Sequence, residues 1–356
     1  MNSEKIKQFS AAIRKHNLDF LLVTDIHHIR YITGFSGSNA IVVLAPPKAH
    51  FLTDFRYAVQ APKEVKNCQI MIAERDLFSE LPKLPLNWSK AKIGVEAAFL
   101  TLKNLSKLKD LLPQSNFVST ENIIESFSMI KDAEEISKIK KAVRIAEKAF
   151  NDIIKRIKPG LKEKDIALDL EYKMRAYGAD GPSFDTIVAS GQRSSMPHGR
   201  ASEKKLRKGE FVTIDFGCFY QGYASDITRT IVLGKANEKQ KKIYNIVLTA
   251  QKAACKAIRP RIGGSEVDNV ARDIIAKAGY GDYFGHGLGH GIGLLVHDGP
   301  VLSPRSNDTL TPGNVVTVEP GIYIHNWGGV RIEDDVLVTP NGGQILTKLP
   351  KELIEL

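Results

Sequence analysis

Apolar residues follow two rhythms along this chain. Over the first 130 or so positions, short apolar runs alternate with amphipathic stretches. "FLLVT", "AIVVL", "AHFLT", "CQIMIA", "KIGVE" and "NFVST" are runs of strand length, whereas "TLKNLSKLKDLL" repeats its leucines at helical spacing. The opening "MNSEKIKQFSAAIRKHNLDF" is also helical in spacing, with charges on its other face. Between Met129 and Asp132 the rhythm changes. "KDAEEISKIKKAVRIAEKAFNDIIKRIKPG" predicts a long helix with Asp132 as its N-cap and Pro159-Gly160 as its end. Further helices are expected near 163–177, 237–258 and 265–278, interleaved with strands and hairpins. The pattern predicts an α/β (α+β) chain of two domains, 1–130 and 131–356.

Composition narrows the class. Hydrophobic residues at 43% and charged ones at 25% suit a soluble protein that buries a full core. No apolar run approaches the roughly 20 residues that span a membrane, and the first residues lack an apolar stretch of signal-peptide length. The formal net charge of +10 is spread over short pieces such as "KIKKAVR", "SEKKLRKG" and "EKQKK", each mixed with acids. These read as solvated faces, so neither nucleic acid nor membrane is expected as a partner. Cys68, Cys218 and Cys255 are odd in number and form no CxxC, which points to a reduced, cytoplasmic protein.

The second segment places acids inside apolar strands. "VTIDFGCFYQGYASDITRTIVL" reads as two strands around a turn, carrying Asp215 and Asp226. Folded about Tyr220 and Gln221, the two carboxylates face each other to within a residue. Like charges across paired strands are destabilising, and a buried carboxylate is costly unless something neutralises it. "VVTVEPGIYIHNWGGVRIEDDVLVT" repeats the arrangement, with Glu319 and Glu333 symmetric about Asn326. One such hairpin is compatible with a surface ladder or with pairing to Arg229 or Arg331. Two in one domain favour convergence on cations, since two divalent ions balance four carboxylates. Between the hairpins lies "YFGHGLGHGIGLLVHDG". His286 and His290 are four apart, as in the helical HExxH motif, but Gly287 replaces the glutamate and glycines alternate, so this is no helix. The glycines suggest a backbone packed closely against its surroundings. His286, His290 and His297 lie within twelve residues and, with His198 in "SSMPHGR", make up four of the nine histidines, which favours a site over scattered structural roles. Four carboxylates and an imidazole suit Mn²⁺, Co²⁺, Fe²⁺ or Zn²⁺, and the spacing does not choose among them. Two such ions sharing a bridging hydroxide and polarising a carbonyl make a dinuclear metallohydrolase.

The ordered set "IDFG", "SDITRT", "GHGLGHGIG", "VEPGIYI" and "VRIEDD" resembles the proline-specific metallopeptidases of the pita-bread fold, Xaa-Pro dipeptidase (prolidase) and aminopeptidase P. "YITGFSGSNA" and "TDFRY" extend the resemblance over the N-terminal domain, and "FDTIVASGQRSSMPHG" over the C-terminal one. It implies a creatinase/prolidase-like α/β domain followed by a pita-bread catalytic domain with a curved antiparallel sheet. It also implies two divalent metal ions, Mn²⁺ or Co²⁺ ahead of Zn²⁺ or Fe²⁺, on Asp215, Asp226, His290, Glu319 and Glu333. Asp226 and Glu333 would bridge both ions. His198 and His297 match histidines that touch substrate and the tetrahedral intermediate, while His286, Tyr323 and Arg331 match the wall of the proline pocket. Glu319 would shuttle the proton to the leaving nitrogen. The implied substrates are short peptides with proline second. "GFSGSNA" and "TDFRY" lean toward aminopeptidase P over the dipeptidase. The resemblance further implies a homodimer, with Arg56 either reaching a neighbouring site or forming a surface salt bridge. Methionine aminopeptidase shares the ligand set but usually lacks so large a preceding domain. A non-catalytic peptide- or protein-binding relative would have lost the ligands, which are intact here.

Overall fold

A computed structural model of the protein describes residues 3–74 and 76–356, so the first two residues of the expected opening helix lie outside the described residues. The chain forms two compact units, Met1–Ser128 and Met129–Leu356.

The first unit is built on a six-stranded mixed sheet. Its strand order is Gln69–Ala73, Lys48–Asp54, Ala40–Ala45, Phe20–Val23, Lys92–Glu96, Asn116–Thr120. Ala40–Ala45 is buried at every position, which explains why its sequence is continuously apolar rather than alternating. The helix Ile26–Thr33 starts where Asp25 accepts the backbone N–H groups of His27 and His28 and ends at Gly34, whose φ of 82° a side chain would oppose. Arg56, at an exposed turn, is ion-paired with Asp54 at 2.8 Å.

In the second unit the helix Ala133–Ile153 opens with a capping box, Asp132 accepting from Glu135 N–H and Glu135 from Asp132 N–H. Ile139, Val143, Ala146, Phe150 and Ile153 form its buried stripe. The helix ends at Ile153, followed by a 3₁₀ turn over Ile154–Arg156, rather than running on to Pro159. Proline drives the residue before it out of the α region, so the helix must finish upstream, and Ile157 is already extended. Helices Glu163–Ala176, Glu238–Ala257 and Gly264–Lys277 follow.

Beside a three-stranded and a two-stranded sheet, two larger sheets of four and five strands make up this unit. In one, Ile227–Val232 lies between Phe211–Phe216 and Ile354–Glu355, and Ile187–Ser190 closes the far side. In the other the order is Asp298–Leu302, Gly289–Gly291, Val315–Val318, Asp334–Thr339, Gly342–Ile345, antiparallel throughout. Val316, Val318 and Val336 of this sheet share one core with Ile243, Tyr244 and Val247 of one helix and Val267 and Ala271 of the next. Each such valine or isoleucine stabilises the fold by about 1.5–3 kcal/mol on burial, and this core backs the strands that flank the acids.

The first acidic hairpin differs from expectation in its register. Its turn lies at Gln221 and Gly222, which have φ of 48° and 79°. Two positive φ values make the type I′ geometry that matches strand twist. Asp215 therefore pairs with Thr228, and Asp226 falls two residues short of that partner. Side chains alternate with period two, so the two aspartates share a face diagonally rather than standing opposite. In the second hairpin, Val318 pairs with Asp334 and Gly321 with Arg331, a register symmetric about Asn326.

Candidate active site

Three of the four acids sit at interruptions in the strand ladders. Asp226 precedes the strand Ile227–Val232, Glu319 lies between Val315–Val318 and Gly321–Ile324, and Glu333 lies between Gly328–Arg331 and Asp334–Thr339. Their backbone N–H groups bond outside the ladder. Glu333 N–H donates to the Thr228 carbonyl at 3.2 Å and Glu319 N–H to that of Leu288 at 2.8 Å. Asp226 N–H donates to Asp335 Oδ2 at 3.2 Å. These cross-links join the two hairpins to each other and to the glycine-rich segment, bringing their acids into one place.

There, an oxygen from each of Asp215, Asp226 and Glu333 lies within 4.8 Å of the others, all three residues buried. His290 Nε2 is 3.5 Å from Glu319 Oε1 and 3.7 Å from Asp226 Oδ2. The other nitrogen of that ring, Nδ1, is 3.0 Å from the Gly291 carbonyl. A ring N–H given to a carbonyl leaves the opposite nitrogen bare and aimed at the acids, as a metal-ligating imidazole requires. Burial, reinforced by neighbouring His297, lowers the His290 pKa to about 4, which keeps the ring neutral. The glycines flanking it have steric reasons. A Cβ at Gly289 would meet the Thr317 carbonyl at 2.2 Å, and one at Gly291 that of Gly299 at 1.9 Å.

The acids are poorly compensated by protein alone. Burial, with Glu333 and Asp215 next in weight, pushes the Asp226 carboxyl well above its usual range. Burial followed by Glu319 and Asp215 does the same to Glu333. Glu319 is pushed up to about 8 by burial, with Arg331 opposing and Asp215 reinforcing. Asp215 Oδ2 accepts from Arg331 Nη2 at 2.6 Å, yet its buried Oδ1 has no hydrogen-bond partner. An orphaned buried oxygen, crowded carboxylates and a neutral imidazole fit divalent cations of the hard or borderline kind.

Around this floor lies a cavity of about 570 Å³, reached by Phe184, Asp185, Arg200, Val296 and Val301 as well as by His198, His286, His297 and Arg331. His286 Nε2 is 3.0 Å from the Tyr323 hydroxyl, and Arg331 Nη1 donates to that hydroxyl at 2.9 Å. Burial and then Arg331 lower the His286 pKa to about 4, and burial raises that of Tyr323 to about 12 against the pull of Arg331. The His297 ring centre is 4.3 Å from that of His290, the two rings tilted by 54°, while His198 is exposed at the cavity wall. All ten residues singled out in the sequence are thus brought into one region. Tyr323 stands behind His286 and Arg331 rather than among the cavity-lining residues.

Sequence reasoning missed the threonines. Thr228 Oγ1 donates to Glu333 Oε2 at 2.6 Å and accepts from Arg331 Nε at 3.1 Å. Thr317 Oγ1 accepts from His290 N–H at 3.0 Å and lies 3.4 Å from Glu319 Oε1. The one available signal was a hydroxyl recurring beside an acid, in "DIT" and "TVE".

Residues 137–340 match metallopeptidase family M24, and residues 5–130 match the creatinase/prolidase N-terminal domain. The chain belongs to metallopeptidase family M24, with the creatinase-like domain and pita-bread catalytic domain of its prolidase relatives. It is 41% identical to Xaa-Pro dipeptidase of Pyrococcus horikoshii over 99% of both chains. Among solved structures, Xaa-Pro dipeptidase from Bacillus anthracis is similar at 44% identity and a TM-score of 0.95, covering 100% of both chains. X-Pro aminopeptidase from Thermotoga maritima is similar at 38% identity and a TM-score of 0.90, covering 97% of this chain and 100% of that one.

Proposed function

We propose that this chain is a dinuclear Xaa-Pro exopeptidase that removes the first residue from peptides with proline second. The observation that carries the reading is the convergence of Asp215, Asp226, Glu319 and Glu333 with a neutral His290 on the floor of one cavity. Asp215, Asp226, His290, Glu319 and Glu333 would hold two divalent cations, which supply Lewis acidity toward the scissile carbonyl and a nucleophilic water at neutral pH.

The chain's own residues do the remaining work. An Xaa-Pro bond has no N–H at its nitrogen, so the site must read the ring by shape. His286 offers a flat face and Arg331 a planar cation, both braced by the Tyr323 hydroxyl. His198 and His297 flank the place where negative charge develops on the carbonyl oxygen, and a ring N–H from either stabilises it. Glu319, beside His290 on the cavity floor, takes a proton from the attacking water and returns it to the proline nitrogen as the C–N bond breaks. Dipeptidase names outnumber aminopeptidase names among the relatives reported above, which favours dipeptides as substrates.

The reading is tested with purified protein supplied with Mn²⁺ or Co²⁺, on Ala-Pro, Ala-Pro-Ala, Ala-Ala and Met-Ala peptides. Proline substrates should exceed their alanine counterparts in kcat/KM by at least about tenfold, or 1.4 kcal/mol. A preference for Met-Ala peptides would instead indicate a methionine aminopeptidase.

A further inference from the structure

We infer that Arg272, ion-paired with Asp268, is a positioning residue for the proline pocket: it holds the backbone that presents His286 and so sets the preference for proline over alanine as second residue. The inference rests on the Xaa-Pro reading above.

The residues from Phe284 to Leu288 belong to no helix or strand. Their backbone polar groups have no ladder to join and must find partners elsewhere. Gly285 and Gly287 leave the segment few side chains to pack, and a Cβ at Gly285 would meet nothing within 4 Å. Glycine-containing backbone without a ladder is loose by default. Yet this segment carries His286 into the cavity at a fixed position, with its Nε2 3.0 Å from the Tyr323 hydroxyl. Something has to fasten it.

The fastening comes from the helix Gly264–Lys277. Its buried residues include Val267, Asp268, Ala271 and Ile275, so a fully buried carboxylate stands among apolar side chains. Such a charge is costly unless it is paired. Arg272, one turn further on, pairs with it through two bonds, Nε to Oδ2 at 2.7 Å and Nη2 to Oδ1 at 3.0 Å. The same guanidinium then reaches the loose segment. Its Nη1 donates to the Phe284 carbonyl at 2.9 Å and its Nη2 to the His286 carbonyl at 2.7 Å. Asp268 Oδ1 accepts the Leu288 N–H at 2.9 Å. The guanidinium carbon also lies 4.3 Å from the centre of the Phe284 ring, which meets the His286 ring edge-on at 5.1 Å. One ion pair thus holds the backbone of His286 and of the residues two before and two after it. A planar fork can serve a carboxylate and two carbonyls at once, whereas a lysine ammonium is a single point of charge. Both Asp268 and Arg272 stand behind the cavity wall rather than among its lining residues, so their effect on substrate passes through His286.

Removing the arginine alone strands the buried Asp268 carboxylate, which destabilises the fold for its own reasons. The variant to use is therefore Asp268→Asn combined with Arg272→Met, in which the amide oxygen still accepts the Leu288 N–H and no buried charge is left over. On the Mn²⁺-supplied protein its kcat/KM for Ala-Pro should fall at least about tenfold, chiefly through KM, and that for Ala-Ala by less than about threefold, as expected when a pocket group is displaced. Arg272→Lys, which keeps a cation beside Asp268 but has one nitrogen for two carbonyls, should lie between the parent and the double variant. If the double variant does not fold, Arg272→Lys is read against the parent by the same ratio of Ala-Pro to Ala-Ala, and a drop in that ratio is the expected result. A folded double variant that keeps the parent's ratio, or that loses both substrates equally, overturns the role of Arg272 alone, as does an unchanged ratio in Arg272→Lys where that variant decides. A parent with no preference for proline overturns this inference and the Xaa-Pro reading together.

Discussion

Thr228 shows how a single hydroxyl can serve two charges. It donates to Glu333 and accepts from Arg331, so Thr228→Val keeps the shape while leaving both groups short of a partner. Partners of metal-binding side chains are typically worth about 10–100-fold in affinity or turnover. Mn²⁺ titration by calorimetry after chelation should show a loss of that order, with recovery in Thr228→Ser; unchanged affinity and turnover would remove the threonine from the site. Asp226→Asn is expected to abolish turnover with the circular-dichroism spectrum retained. Cys218→Ser should leave most of it, although Cys218 is only three residues from Asp215 in sequence. The Cys218 thiol is buried, donates to the Ala142 carbonyl at 3.4 Å, and has its pKa pushed up to about 12 by burial, so it is no nucleophile. An inactive serine variant beside an active Asp226→Asn would mean that the site is misread. At this scale the acids were legible because a charge in an apolar strand violates the pattern around it. Threonine violates nothing, being an ordinary strand residue, and its partner Glu333 is 105 residues away.

Among the elements, the helix Ile26–Thr33 is fastened to the first unit's sheet by a titrating pair. His28 Nδ1 is 2.6 Å from Oε1 of Glu96 at the end of the strand Lys92–Glu96, and Glu96 Oε2 accepts the Thr24 and Asp25 N–H groups at 2.6 and 3.1 Å. Burial lowers the His28 pKa, but the hydrogen bond and charge of Glu96, with Asp25 and Glu125, outweigh it and leave it raised above 6.5. Because the folded value is the higher one, this stabilisation is fully present below the unfolded pKa and is lost as pH rises through the folded pKa. His28→Gln should flatten that part of the stability profile, and an NMR titration of His28 should have its midpoint above 6.5; a midpoint below that value would refute the assignment. The strands of this sheet were readable from apolar runs alone, as were most helix starts, since caps and periodicity are local. Two features were not. The turn at Gln221 and Gly222 depends on a glutamine accepting a φ of 48°, which residue type does not announce, and the one-residue shift moved the Asp215–Asp226 pairing by two. The end of Ala133–Ile153 depends on how the chain leaves the helix before Pro159, and the hydrophobic pattern runs through it.

For the whole molecule, every residue lining the candidate site falls within Met129–Leu356, so cation binding should stabilise that unit. Among the described residues, no helix is long and apolar enough to cross a membrane. Ligand that binds only the native site adds about 2.7 kcal/mol when present at a hundred times its Kd. For a unit of this size, Tm moves about 2–4 °C per kcal/mol, so chelation should lower Tm by on the order of 5–10 °C and abolish turnover together. Electrostatics adds a reason beyond mass action. Without cations, burial and mutual repulsion hold the Asp226, Glu319 and Glu333 carboxyls above their usual range, and the segments that carry them lose their common partner. Hydrogen exchange should therefore show protection falling on chelation in Ile227–Val232, Val315–Val318 and Asp334–Thr339, with Lys48–Asp54 and Ala40–Ala45 of the first unit unmoved. Elemental analysis of the reloaded protein should find about two divalent ions per chain. If chelation leaves melting, exchange and turnover as they were, the carboxylates are neutralised by protons rather than metal, and the dinuclear reading has to be abandoned.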